Sequence, residues 1–417
     1  RLDWSSLIRP SSNLAYHAMA RVRHFAYRAM TLPVEWGEGN AKGNRETNVE
    51  FAGGVRMPWD NGSSVGLDGD LNMLIYGGQE NIFSYAQAGG MKEYSLNRPN
   101  NYGMLTLTPY YRFKNLIEIR LGADIDLAFN AGPDGNRYSF FHVAPDVKFA
   151  LQTGQFGMYL NVLGGSSLNT LANLYQHDYY MMPALASTRP TYTPIDASFG
   201  VNLGPFSGFS IGLEGSFRSS KNVPLGGWYQ AWMNYGGAPV PGINEASQLS
   251  RYDRMLYSLD ADGINLHGVS VGGYISFEPS DKFSFKAQGS IQPQDGEKGY
   301  FNGYDRPKVT MDVDATVKPM EQLSLSVGFD YRAKRCIYTR AISDLPNGGV
   351  TPDKADGTLC SMNLPDLTLL NLGASWNLTK SFTVWLQADN LLNRHDEMLP
   401  MLPAQGISIA AGLKVLF

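Results

Sequence analysis

The chain is poor in the residues that soluble proteins use most. Charged residues make up 17% of its 417 positions, against roughly 25% in a typical soluble domain. Long apolar runs are missing too: no stretch approaches the ~20 consecutive apolar residues that a spanning helix needs. Cysteine occurs twice, at Cys336 and Cys360, so neither a disulfide-dense scaffold nor a cysteine-rich metal centre can be built. The six histidines, His17, His24, His142, His177, His267 and His395, are scattered, and no nucleophile motif accompanies any of them. Catalysis by a serine or cysteine needs a base held at hydrogen-bond distance, so an enzyme is not expected. A net charge of -4, from 34 basic and 38 acidic residues, gives no basis for binding nucleic acid. No cofactor motif is present. Asp68-Gly69-Asp70-Leu71-Asn72 has the look of a calcium loop but lacks the later glutamate, and its acidic residues fit one face of a strand. His177-Asp178 is read as loop decoration rather than a metal site.

Alternation is abundant. Ile117, Ile119, Leu121, Ala123, Ile125, Leu127 and Phe129 share one face of a strand, and Glu118, Arg120, Asp124 and Asp126 share the other. Val309, Met311, Val313, Ala315 and Val317 oppose Asp312, Asp314 and Lys318, and Leu323 to Tyr331 oppose Asp330 and Arg332. Two packed sheets also produce alternation, but a sandwich needs far fewer strands. Short turns recur near Lys114-Asn115, Thr153-Gly154-Gln155, Gly204-Pro205-Phe206, Pro279-Ser280-Asp281, Pro319-Met320-Glu321 and Leu378-Thr379-Lys380, with a longer one through 58–64. Long connections cover 24–45, 77–103, 129–138, 164–193, 218–265, 293–307, 335–365 and 391–406.

This pattern predicts an all-β, transmembrane antiparallel β-barrel with short periplasmic turns and long extracellular loops, a single domain over 1–417. Sixteen strands are expected, over 14–24, 46–57, 65–76, 104–113, 116–128, 139–152, 156–163, 194–203, 208–217, 266–278, 283–292, 308–318, 322–334, 366–377, 382–390 and 407–417. Fourteen is the second choice, and the first segment also fits a helix. Closure is expected, because an open edge in hydrocarbon leaves backbone groups unpaired at several kcal/mol each. Arg1 opens directly into RLDWSSLIRP, so the chain is expected to be mature or shortened at its start.

The lumen-lining candidates are Glu118, Arg120, Asp124, Asp126, Asp312, Asp314, Asp330 and Arg332. Mixed signs on neighbouring strands fit a solute-selecting pore, and equally a cross-strand network of ion pairs that stiffens the wall. The connection 218–265 carries the surface aromatics Trp228, Trp232 and Tyr235, able to grip a protein partner or to fold into the barrel mouth ahead of gripping a sugar, with Trp228 and Trp232 also suited to an interfacial girdle. Cys336 and Cys360 fall in one connection in an oxidising compartment, which predicts a disulfide between them; two unpaired thiols are the alternative.

The final strand alternates strictly from Ile407 and stops on Phe417, and so resembles the closing strand of bacterial outer-membrane barrels. Residues 365–417 resemble the end of TonB-dependent receptors. Gln387-Ala388-Asp389-Asn390-Leu391-Leu392-Asn393-Arg394 is similar to that family's strand-end motif, and Pro403-Ala404-Gln405-Gly406 leads into the last strand. The resemblance implies the outer membrane, a lipid surround and solute transport. It departs in length: the family has a 22-stranded barrel with an N-terminal plug, and nothing before residue 46 is long enough to be one. Two functions follow as expectations. One is a solute pore or transport barrel. The other is an accessory barrel that scaffolds other outer-membrane or surface lipoprotein subunits.

Overall fold

The computed structural model describes residues 2–5, 14–26, 45–59, 61–77, 81–87, 90–96, 100–130, 139–177, 188–224, 226–229, 256–259, 264–292, 294–296, 307–340, 359–399 and 402–415. Sixteen long strands run through them: β1 (Ala15–Ala26), β2 (Arg45–Pro58), β3 (Ser63–Gly77), β4 (Tyr102–Lys114), β5 (Ile117–Phe129), β6 (Phe140–Thr153), β7 (Phe156–Ser167), β8 (Thr191–Phe206), β9 (Phe209–Val223), β10 (Ile264–Ser280), β11 (Phe283–Ile291), β12 (Val309–Met320), β13 (Leu323–Ala333), β14 (Leu367–Thr379), β15 (Phe382–Asp389) and β16 (Ser408–Val415). Each pairs antiparallel with the next, so the sheet is one continuous meander. Neighbouring strands in chain order need only tight reversals, and here all the reversals at one end but the one between Pro58 and Ser63 are two residues long, as between Thr153 and Phe156 or Ser280 and Phe283. The first segment is a strand, not a helix.

Two expectations about turns and closure are corrected. The reversal expected at Gly204-Pro205-Phe206 lies at Ser207 and Gly208, which have φ of 51° and 87°. Two consecutive positive φ values are what a twist-compatible hairpin turn requires, whereas Gly204-Pro205 sits in an irregularity of the β8–β9 register between Leu203 and Phe206. Closure is not seen: among the described residues β1 and β16 do not pair. A short strand, Leu2–Ser5, occupies the free edge of β1 in the register Leu2↔Ala20 to Ser5↔His17, so that stretch of edge is already taken.

The two faces of the sheet differ as alternation demands. One face carries exposed apolar side chains along its whole width, from Phe51 and Leu121 through Leu213 and Val271 to Ile409 and Leu413, the last two 70% and 65% exposed. A belt of this size far exceeds the few hundred Å² that a water-soluble monomer tolerates, and its solvent is lipid. No helix among the described residues is long and apolar enough to cross a membrane, so the strands do the crossing. The other face is polar.

The long connections are less irregular than expected. Asn81–Gln87 and Gly90–Leu96 form a hairpin. Gly226–Tyr229 and Leu256–Leu259, both in the connection after β9, join Arg335–Arg340 and Leu359–Leu364, from the connection after β13, in one four-stranded sheet. Trp228 lies in that sheet, while Trp232 and Tyr235 fall outside the described residues. The same sheet corrects the disulfide. Cys336 is opposite Asn363, and Cys360 is opposite Thr339, so the cysteines are offset by three positions. Three residues of strand are roughly 10 Å, beyond the ~7 Å separation of Cα atoms that a disulfide can bridge.

Candidate functional site

The polar face is lined by registered pairs of charges. In β5, Glu118 takes hydrogen bonds from Arg112 of β4, 3.0 Å from Nε and 2.5 Å from Nη2, with Lys114 at 3.7 Å. Arg120 binds Asp146 of β6 and reaches Asp68 of β3 at 3.5 Å, while its guanidinium lies 3.8 Å from the centre of the Tyr110 ring. That ring can cross the wall because Gly66 has no Cβ: one there would strike it. Among the described residues Asp124 and Asp126 form no ion pair of this kind. Thr108 donates to Asp124 at 2.5 Å, and Thr106 donates to Asp126 at 2.7 Å. Further round, Asp312 of β12 is directly opposite Asp330 of β13. Arg332 holds the first at 2.6 Å and the second at 3.7 Å. Asp314 stands opposite Lys286 on one side and Gly328 on the other. The eight charged residues singled out from the sequence therefore share one face, in two separate groups.

A segment that sequence reasoning treated as plain loop lies on this face. After β7 the chain forms a short helix, α1 (Leu171–His177). The departure begins at Gly164-Gly165. The β7–β8 register shifts between Leu163 and Gly165, and Gly165 has φ of 115°, a conformation open mainly to glycine. A Cβ on Gly165 would also press on Asp124. The freed Ser166 N–H donates to Asp126 Oδ2 at 2.6 Å, which binds the turn to the wall. Thr170 then caps α1: its Oγ1 accepts from Asn173 N–H at 3.1 Å.

The helix is anchored far across the sheet. Leu171 N–H donates to Glu46 Oε2 of β2 at 2.6 Å. From β7 to β2 is five strand spacings, roughly 24 Å along the sheet. Leu171 is fully buried, packed with Leu74, Tyr76, Tyr102, Met104 and Ala128, all on the polar face of β3, β4 and β5. Tyr175 meets Phe25 of β1 with ring centres 5.5 Å apart. The returning chain is fixed as well. Tyr102 hydroxyl donates to Thr188 O at 2.9 Å, and Asn169 Nδ2 donates to Arg189 O at 2.5 Å and to Thr191 Oγ1 at 3.0 Å. Among the described residues the Asn48 side-chain amide is buried under this cover with no hydrogen-bond partner, while the buried Tyr76 hydroxyl has Glu46 and Thr188 as polar neighbours but no well-formed hydrogen bond.

The sequence did contain a signal. Apolar residues at Leu74, Tyr76, Tyr102 and Met104 break the polar half of the alternation at the loop ends of β3 and β4. A strand apolar on both faces has something packed on both.

No protein-family profile and no curated protein sequence matches the chain. Solved structures do. FpvA of P. aeruginosa, in complex with an iron-loaded pyoverdine, superposes with a TM-score of 0.61 at 9% identity over 98% of this chain. The FrpB iron transporter of Neisseria meningitidis gives 0.63 at 10% identity over 96%. The copper transporter OprC gives 0.55 at 9% identity over 97%. The match spans 54%, 60% and 61% of those chains, so this chain corresponds to little more than half of their length. Its fold is that of the barrel of TonB-dependent outer-membrane receptors, an outer-membrane β-barrel.

Proposed function

We propose that the barrel passes a polar solute across the outer membrane, and that the connection between β7 and β8 is the movable constriction of that passage. The observation that carries this reading is α1, bound to the polar wall five strands from where its chain left it. A connection that served only to join two adjacent strands would need a few residues and would not cross the inner face. Its anchoring suits a part that moves. The apolar contacts of Leu171 favour docking. The Asn48 amide, without a partner among the described residues, opposes it by about 1–3 kcal/mol. A docked state built from large opposing terms is one that a solute or a partner can tip.

The fold supports transport, since the similar structures are transporters and receptors by their own descriptions. At 9–10% identity their iron and copper cargo is theirs alone. Among the described residues there is no group of three or more His, Cys, Asp or Glu placed to hold a metal. The decisive measurement is conductance of the full chain in a planar bilayer. Leu171→Ala with Glu46→Gln should raise the mean current over the unsubstituted protein, because α1 then leaves the wall. Identical currents in the two would refute α1 as the constriction.

A second reading rests on the four-stranded sheet that joins two long connections. It makes a broad outer platform, suited to a surface lipoprotein subunit. Retention of such a subunit with the barrel, and its loss when 226–259 is deleted, would support the scaffold reading.

A further inference from the structure

The wall formed by β7 to β12 contains a cleft of about 260 Å³ that none of the ion-pair networks fills. Two registered rows of side chains build it. In one row Tyr159, Gly200, Glu214, Gly272, Ser290 and Thr310 stand side by side; in the next are Asn202, Gly212, Tyr274, Gln288 and Asp312. Glycine clears the floor. A Cβ at Gly200 would fall within the Tyr159 ring, and one at Gly212 within the Tyr274 ring, so both rings lie across space that any other residue would occupy. The cleft thus has two aromatic walls and a polar floor.

The floor is selective in its chemistry. Asn202 and Gln288 each offer a donor and an acceptor. Ser290 and Thr310 hydroxyls sit 2.8 Å apart. Asp312 is already neutralised by Arg332. Glu214 is not: it is exposed, and among the described residues its one hydrogen-bonding partner is the Tyr159 hydroxyl at 3.5 Å. An anion would meet that uncompensated carboxylate. An apolar solute would strip water from every group on the floor without replacing its hydrogen bonds. A neutral molecule with adjacent hydroxyls suits both parts: amides and a carboxylate can each engage two hydroxyls, and aromatic faces pack on C–H surfaces.

We propose that this cleft is a subsite for one ring of a saccharide, which deepens the transport reading above and rests on it for a role in passage. The cleft's volume admits a single ring, and its polar lining side chains stand on the polar face, so a longer chain would extend from it along that face.

The test is calorimetric titration of the full-length protein in detergent with maltotriose, cellotriose and xylotriose, alongside spermidine as a cationic probe. At least one trisaccharide should bind and spermidine should not compete with it. Tyr274→Ala and Glu214→Gln should each weaken that binding about five- to tenfold, while cold-SDS gel mobility shows that the variants remain folded. Binding by no trisaccharide, binding unchanged in both variants, or displacement by spermidine would each overturn the proposal. Added trisaccharide should also produce current blocks in the planar bilayer. Calorimetric binding without any conductance would sink the transport reading and leave the subsite standing.

Discussion

The polar face has two sectors that share an alternation but not a purpose. From β2 to β6 the loop end of the wall is covered by α1. Glu46 is buried there at 2% exposure with Leu74, Tyr76 and Met104 nearby, and Asp126 and Asp146, at 0% and 6%, are buried further along the strands. From β9 to β13 it is open, with Glu214 and Gln288 exposed and Asp312 half-buried. The buried acids of the first sector, Glu46, Glu50, Asp126 and Asp146, are shielded from water and must be satisfied by the protein. Those in the second can be satisfied by water or by a passing solute. A buried ion pair loses much when one partner goes, because the other is left uncompensated, whereas an exposed pair loses little. The same ion-pair chemistry should therefore behave as structure in one sector and as a surface in the other.

The sharpest break of this comparison is at Arg120, which binds Asp146 with side-chain exposures of 19% and 9%. Arg120→Met should cost about 3–5 kcal/mol in unfolding from bilayers. A cost below about 1 kcal/mol would mean that water reaches this sector as freely as the other.

Next is the face that neither sector controls. Leu121, adjacent to Arg120 in sequence, points the opposite way and is 51% exposed to lipid. Leu121→Arg should cost about 2–4 kcal/mol if it lies near the membrane midplane. Were it to cost no more than a lysine placed at Leu116 beside the short turn, the apolar belt would not be the lipid boundary.

Smaller again is Glu46→Gln, which keeps the shape of the contact with Leu171 N–H but removes its charge. About 1–2 kcal/mol of local docking should be lost, seen as faster amide hydrogen exchange in 168–177 with little change in the strands. Exchange that quickened across β2 and β3 as well would show that Glu46 supports the wall rather than the helix.

The sequence made most of the sheet legible because period-two alternation is a local property. All sixteen strands fall where the alternation put them, and the eight charges from Glu118 to Arg332 share a face because residues of even spacing must. What escaped was non-local. Leu171 meets Glu46 across 125 residues, and no spacing rule reaches that far. The turn at Ser207-Gly208 escaped for a different reason: Gly204-Pro205 is the stronger turn signal by composition, but the backbone uses it for an irregularity within the strand and reverses two residues later. The cysteine pairing failed on register, since proximity in one connection says nothing about which residues stand opposite.

The smallest expected effect lies in the open sector, and its sign is informative. Asp312 and Asp330 are directly opposite each other on adjacent strands, a placement in which like charges repel. One arginine serves both, and unequally: Arg332 Nη2 is 2.6 Å from Asp312 but 3.7 Å from Asp330. Asp330→Asn removes the repulsion and gives up only the longer contact. At neutral pH it should change stability by less than about 0.5 kcal/mol, on the stabilising side if on either. Asp312→Asn gives up the shorter contact and should be the more costly of the two. Denaturant unfolding of both variants from the same bilayer settles the order. If Asp330→Asn proved as costly as Arg120→Met, the carboxylate would be needed by the fold. The β9–β13 sector would then be structural wall like the other, not a surface left open for solute.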